Sequence, residues 1–302
     1  MSPARNALTT EPWPNGARIA VSTSLMFEAG SQDTRHELGP MPVPQAGDLP
    51  DLPTNSWFDY AANEGIPRAL DMFDRYGVKA SCFMTGMSVE RYPDVACEIV
   101  KRGHEAAAHG LRWTPSYAMA RDDEMKFIAD GAAMVERVTG MRTVGWNAHG
   151  MRNSANTLEI LQELGFTYFI DDLSRDEPFI IPLRVGEIVA VPYTAHLNDL
   201  HNLLQIYNLA QFELLITSEF DQLYAEAEGR RRMMIVSLHD RLGTRPATIN
   251  MYERVFDHFR SKPGVWFARK DEIARWASSH RQDTPIVHRG PVGETGLPGP
   301  AA

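Results

Sequence analysis

The chain has 302 residues, is 43% hydrophobic and 23% charged, and carries a formal charge of -9. These are the proportions of a soluble globular protein, and the length suits one large α/β domain as well as two small ones. The negative balance argues against nucleic acid, which wants a clustered basic face, and no apolar run is long enough to cross a membrane.

Residues 1–17 lack an apolar signal core and are read as an arm, so a cytoplasmic protein is expected. Arg18 to Phe27 reads as a first buried strand ending at Glu28-Ala29-Gly30. Residues 31–55 hold several prolines and no period, which predicts a long loop or lid. A helical stripe runs from Ile66 to Tyr76 and stops at Gly77. Lys79 to Thr85 is a second strand, and Asp94 to Arg102 a helix stopped by Gly103. Glu105 to Ala108 is a short strand leading into His109. Asp122 to Val138 is a helix opened by three acids at its positive end.

Arg142 to Trp146 reads as a strand, a helix after Ser154 carries Leu158, Leu161 and Leu164, and Phe166 to Ile170 is a strand ending in Asp171-Asp172. Phe179 to Leu183 and Ile188 to Tyr193 pair around Gly186. A helix spans Phe212 to Tyr224, and the apolar strand Met233 to Leu238 delivers His239-Asp240. A helix over 249–259, the strand Val265 to Ala268 and a helix from Asp271 to Ala277 follow. Residues 281–302 are a Gly-Pro-rich tail. Arg230-Arg231-Arg232 reads as a solvated turn, and Cys82 and Cys97 as reduced core cysteines.

The repeated strand–helix order argues for a parallel sheet in one domain over 18–280. With no GxGxxG fingerprint, a closed or distorted (β/α) barrel is favoured over an open nucleotide-binding sheet. A barrel rim would gather Glu28, Thr85, His109, Trp146, Asp171, Asp172, Tyr193 and His239. A carboxylate, two imidazoles and an acid pair can run hydrolysis, one group activating water and another protonating a leaving atom. Arg152 could hold a carboxylate or a polarised carbonyl. Glu28 and His109 are candidate metal ligands and His149 a possible third, but the residue four after His109 is Trp113, so no His-x-x-x-His pair exists. His104 lies an odd number of residues from His109 along a strand, so it should face the other side.

The strand ending Met26-Phe27-Glu28, the segment Gly103 to Gly110, Val144-Gly145-Trp146 with Arg152, Asp171-Asp172-Leu173 and Ser237-Leu238-His239 resemble, in order, the motifs of the polysaccharide deacetylase superfamily. This is the carbohydrate esterase family four group, with the NodB-like fold. The blocks His109 to Trp113, Asp240 to Pro246 and Gly264 to Ala268 are similar to the branch holding metal-independent allantoinases, cyclic imide hydrolases and peptidoglycan deacetylase-like proteins. The first motif departs from the superfamily's aspartate pair, and one of its two metal histidines is missing.

The resemblance implies a hydrolase of carbon–nitrogen bonds in a small amide, cyclic imide or ureide. Water would be activated by Glu28 or His109, and His239 would protonate the leaving nitrogen or stabilise the oxyanion. Arg152 and Asp172 would assist, while Trp146, Trp113, Thr85, Tyr193 and His149 would line the substrate. No cofactor is expected; the alternative is one divalent metal, zinc, on Glu28 and His109, in a de-N-acetylase of an amino sugar. A third reading is a non-enzymatic member that binds a small ligand. The partner expected is a small molecule, neither nucleic acid nor membrane, and the resemblance implies a homo-oligomer, a tetramer.

Overall fold

The computed structural model describes residues 12–32, 39–41, 49–205 and 208–289. Most of the arm over 1–17, parts of the loop over 31–55 and most of the tail over 281–302 lie outside these residues.

The first strand, β1 (Ile19–Phe27), is buried along its whole length. A parallel strand covered on both faces needs such an unbroken run. On one edge it pairs with β8 (Arg232–His239) over eight positions. On the other edge, β9 (Val265–Phe267) takes Ile19 to Val21 and β2 (Ser81–Met84) takes Ser24 to Phe27. From β2 the sheet continues through β3 (Glu105–Ala108), β4 (Gly145–Trp146), β5 (Tyr168–Phe169) and β7 (Glu187–Ala190) to β6 (Phe179–Pro182). Every pairing is parallel except that of β6 with β7, the hairpin expected around Gly186.

Between β8 and β6 the ring is not closed by a regular strand. Single links bridge the gap: Met233 N donates to Asp176 O, Ile235 N to Thr194 Oγ1, and Asn198 pairs with Ser237. The result is a distorted (β/α) barrel, as the strand–helix order predicts.

Helices pack outside. They include α2 (Ile66–Tyr76), α4 (Pro93–Lys101), α5 (Arg121–Thr139), α6 (Thr157–Glu163), α8 (Leu209–Glu226), α9 (Pro246–Arg260) and α10 (Lys270–Ser279). The two-residue repeat of the strands sorts side chains onto two faces, one into the barrel and one toward the helices. Ala20, Met26, Phe83, Ala107, Tyr168, Met233 and Ile235 share the barrel interior. Leu25, Phe27, Ala106, Met234 and Val236 face the helices. His104 follows the outward parity: it packs on Phe73 and accepts a hydrogen bond at Nδ1 from Ala80 N.

Three helices arise where the sequence reads as loop: α1 (Leu52–Tyr60), α3 (Gly86–Arg91) and α7 (Asp199–Gln205). Pro53 sits in the first turn of α1, where a missing N–H costs nothing, and Gly86 opens α3 rather than ending an element. Asp51 caps α1 through Thr54 N. Between α1 and α2, Ala61–Gly65 winds as a π-turn without breaking the path. It brings Gly65 against the turn after β8, where a Cβ would lie 2.2 Å from Asp240 O.

Cys97 is exposed, and only Cys82 is a core cysteine. Arg231 and Arg232 are buried rather than solvated. Arg232 pairs with Glu226, and the Arg231 guanidinium lies 4.3 Å from the Trp276 ring.

Candidate active site

Inward parity continues past the strand ends. Glu28 follows Met26 off β1, His109 follows Ala107 off β3, and His239 closes β8. All three side chains are almost fully buried, and they converge at the carboxyl end of the barrel, where such folds place their chemistry. Nε2 of His109 lies 3.3 Å from Glu28 Oε1, and Nε2 of His239 lies 3.7 Å from the same oxygen.

Each imidazole is oriented from behind. His109 Nδ1 is 2.8 Å from the carbonyl of Asn147, which makes Nδ1–H the donor and aims Nε2 at Glu28. His239 Nδ1 is 2.6 Å from Asp199 Oδ1, while His239 N donates to Asp199 Oδ2 at 2.7 Å. One carboxylate thus fixes both the ring and the backbone of His239. It needs room beside the turn: a Cβ on Gly243 would lie 2.5 Å from Asp199 Oδ2.

Glu28 is clamped in turn. Arg241 Nη1 donates to Glu28 Oε2 at 2.6 Å and to Asp240 Oδ1 at 3.0 Å. Asp240 Oδ2 accepts from Glu28 N and Ala29 N. The Arg241 guanidinium is fully buried, 4.1 Å from the Phe58 ring, 4.9 Å from Trp57 and 5.4 Å from Trp113. The unread helix α1 supplies two of these three rings.

The electrostatics follow from this arrangement. Burial alone would raise the Glu28 pKa, but Arg241, His239 and His109 hold it well below the usual carboxylate value. Burial alone would lower that of His239, yet Asp199 and Glu28 raise it above the ordinary imidazole value. Burial, with His109 close by, pushes His149 down to about 4. Burial also lifts the Tyr193 phenol, keeping it protonated.

A cavity of about 190 Å³ opens over Glu28, His109 and His239. Trp113, His149 and Tyr193 line it, and so do Asn147 and Asn198. Trp113 and His149 meet edge to face at 4.7 Å.

Other expected site residues stand elsewhere. Trp146 has the outward parity of β4; it packs with Phe166 and donates to Asn153 Oδ1. Thr85 caps α3, accepting from Ser88 N. Arg152 does not line the cavity and lies beside Tyr117. Asp172 pairs with Arg289 and accepts from Ser174, away from the imidazoles. The carboxylate behind an imidazole is Asp199, and the cation at the site is Arg241. Sequence reasoning missed both. Arg241 lies two residues past His239, a signal that was available; Asp199 lies in a segment without periodicity.

A divalent metal on Glu28 and His109, the alternative to no cofactor, does not fit. Among the described residues no three His, Cys, Asp or Glu side chains are arranged to hold one. An open catalytic zinc site takes about three protein ligands. Here Glu28 already binds a fixed cation, Arg241, whose charge would oppose a second.

The sequence profile of the polysaccharide deacetylase family matches residues 51–169. A probable polysaccharide deacetylase from Pseudomonas aeruginosa PAO1 superposes with a TM-score of 0.82 at 31% identity, over 89% of this chain and 94% of that one. An allantoinase superposes with a TM-score of 0.82 at 29% identity, over 90% and 95% of the two chains. A peptidoglycan deacetylase from Helicobacter pylori is 24% identical over 71% of this chain and 84% of its own. Among the described residues no helix is long and apolar enough to cross a membrane.

Proposed function

The chain belongs to the polysaccharide deacetylase superfamily, and from that premise and the Glu28 site we propose a hydrolase of carbon–nitrogen bonds other than peptide bonds, acting on a small amide, cyclic imide or ureide. The observation that carries this reading is the convergence of two imidazole Nε2 atoms on one carboxylate oxygen, at 3.3 and 3.7 Å. The cavity supports the small substrate. Its 190 Å³ is below the roughly 300–1,000 Å³ of drug-sized sites.

The strongly depressed pKa of Glu28 makes it a weak base. His109 therefore takes the proton of the attacking water at Nε2, and Glu28 stabilises the imidazolium that forms. The water oxygen bonds to the carbonyl carbon, and the Tyr193 hydroxyl is the donor for the oxyanion. The carbon–nitrogen bond then breaks, its electron pair stays on nitrogen, and His239 Nε2 supplies the proton. The raised pKa of His239 suits the acid, and Asp199 keeps Nε2 facing the substrate. Trp113 and His149 shape the mouth.

Similarity to the Helicobacter pylori peptidoglycan deacetylase supports a second reading, removal of an N-acetyl group from an amino sugar; that reading calls for a metal, which the Glu28 site does not fit. One assay separates the two: turnover of small amides, cyclic imides, ureides and acetylated glucosamine oligomers, with and without a chelator. The proposal expects chelator-resistant turnover of a small compound. Chelator-sensitive turnover of the oligomers alone would replace it with the second reading.

A further inference from the structure

Behind the wall of the catalytic cavity lies a larger one, of about 390 Å³. Asp171 is the partition. Its Oδ1 accepts from Asn147 Nδ2 at 2.5 Å and its Oδ2 from Ala148 N at 2.9 Å. Asn147 and Ala148 line the catalytic cavity, and the Asn147 carbonyl holds His109 Nδ1. Asp171 itself lines the second cavity. A single side chain therefore touches the second space and grips the residue that orients the catalytic imidazole.

The walls define what would fit. Phe169, Leu158, Ile181 and Leu183 give an apolar floor. Three carboxylates, Asp171, Asp172 and Glu159, face two guanidiniums, Arg184 and Arg289. Both guanidiniums are already matched: Arg289 pairs with Asp172, and Arg184 Nε lies 4.0 Å from Glu159 Oε2. Asp171 is gripped by neutral amides instead, and among the described residues it makes no ion pair. Burial lifts its pKa to about 7, against the hydrogen bonds from Ala148 and Asn147 that lower it. A ligand with an apolar body and one ammonium group would cover the floor and supply a cation.

We propose that this second cavity binds a small organic amine, and that its occupant acts on His109 through Asp171 and Asn147. The binding half stands on the cavity alone, and the coupling half rests on the role given to His109 above. An amine is also one product class of carbon–nitrogen hydrolysis, so the site would sense product.

The test is calorimetric titration of the whole protein with n-butylamine and, separately, with butyrate. Wild type should bind the amine saturably and the carboxylate not at all. Asp171→Asn removes the charge and Leu158→Trp fills the space without touching Asp171. Each should weaken amine binding by at least about tenfold, and Leu158→Trp, which leaves both hydrogen bonds of Asp171 in place, should do so with the melting temperature kept. Absence of saturable amine binding, wild-type affinity in both variants, or butyrate binding as tightly would overturn the site. For the coupling, saturating amine should shift the imidazole ¹⁵N resonances of His109 in wild type and not in Leu158→Trp. Unmoved resonances under demonstrated binding would overturn the coupling. If the protein turns over no substrate while the amine still binds, the proposed function fails and the site stands.

Discussion

Asp199 holds His239 twice, with Oδ1 2.6 Å from the ring Nδ1 and Oδ2 accepting from the backbone N–H at 2.7 Å. A carboxylate in that place selects the tautomer with Nε2 toward the cavity and stabilises the imidazolium. An amide cannot do both. Asp199→Asn is expected to lower kcat by about 10²-fold or more with little change in KM. Steady-state kinetics on a confirmed substrate check this.

The pH–rate profile carries the same signature. The folded pKa of His239 is raised above 6.5 by Asp199 and Glu28, against the effect of burial. If its protonated form is the acid, kcat falls as pH rises through that raised value. Asp199→Asn removes one cause of the shift, so the alkaline limb should move to lower pH. A limb that stays in place would detach His239 from the acid role.

Stability follows the same groups with opposite signs. His239 has a raised folded pKa, so its contribution is complete below its unfolded value and is lost as pH rises through the folded one. Glu28 has a depressed folded pKa, so its contribution is present above its unfolded value and is lost as pH falls through the folded one. Denaturant unfolding across pH should show maximum stability between those limits. His239→Gln should flatten the alkaline side only.

Arg241 is expected to be the most costly single replacement in the site. It is fully buried, bridges Glu28 and Asp240, and lies among three aromatic rings. Arg241→Met leaves two buried carboxylates without their cation, a loss of about 3–5 kcal/mol. It should lower the unfolding midpoint and raise the pKa of Glu28. Removal of Arg152, by contrast, touches no cavity wall, and Arg152→Ala should leave kcat/KM within about twofold.

Much of this site is legible in the sequence because parity carries it. An apolar strand fixes which side chains point inward, so Glu28, His109 and His239 can be read as one set from three distant segments. His104 can be read as facing away by the same rule. Where strands are two residues long, the rule weakens. Trp146 reads as a rim residue, yet it lies on the outward side of β4 and packs in the core. Asp172 lies beyond the end of β5 at Phe169, where alternation no longer decides orientation. Asp199 and Arg241 escape for another reason. Their meaning lies in partners 40 and 213 residues away, and no local period records that. The helix α1 is hidden by its proline-rich approach, and with it the rings that enclose Arg241.

The central claim is that His239 acts with Glu28 and His109 on a small carbon–nitrogen substrate. The most direct measurement is kcat/KM of His239→Ala against wild type, on whichever amide, imide or ureide the wild type turns over, with folding checked by thermal melting. A fall of about 10²-fold or more in a folded variant is the predicted result. Undiminished turnover would contradict the account.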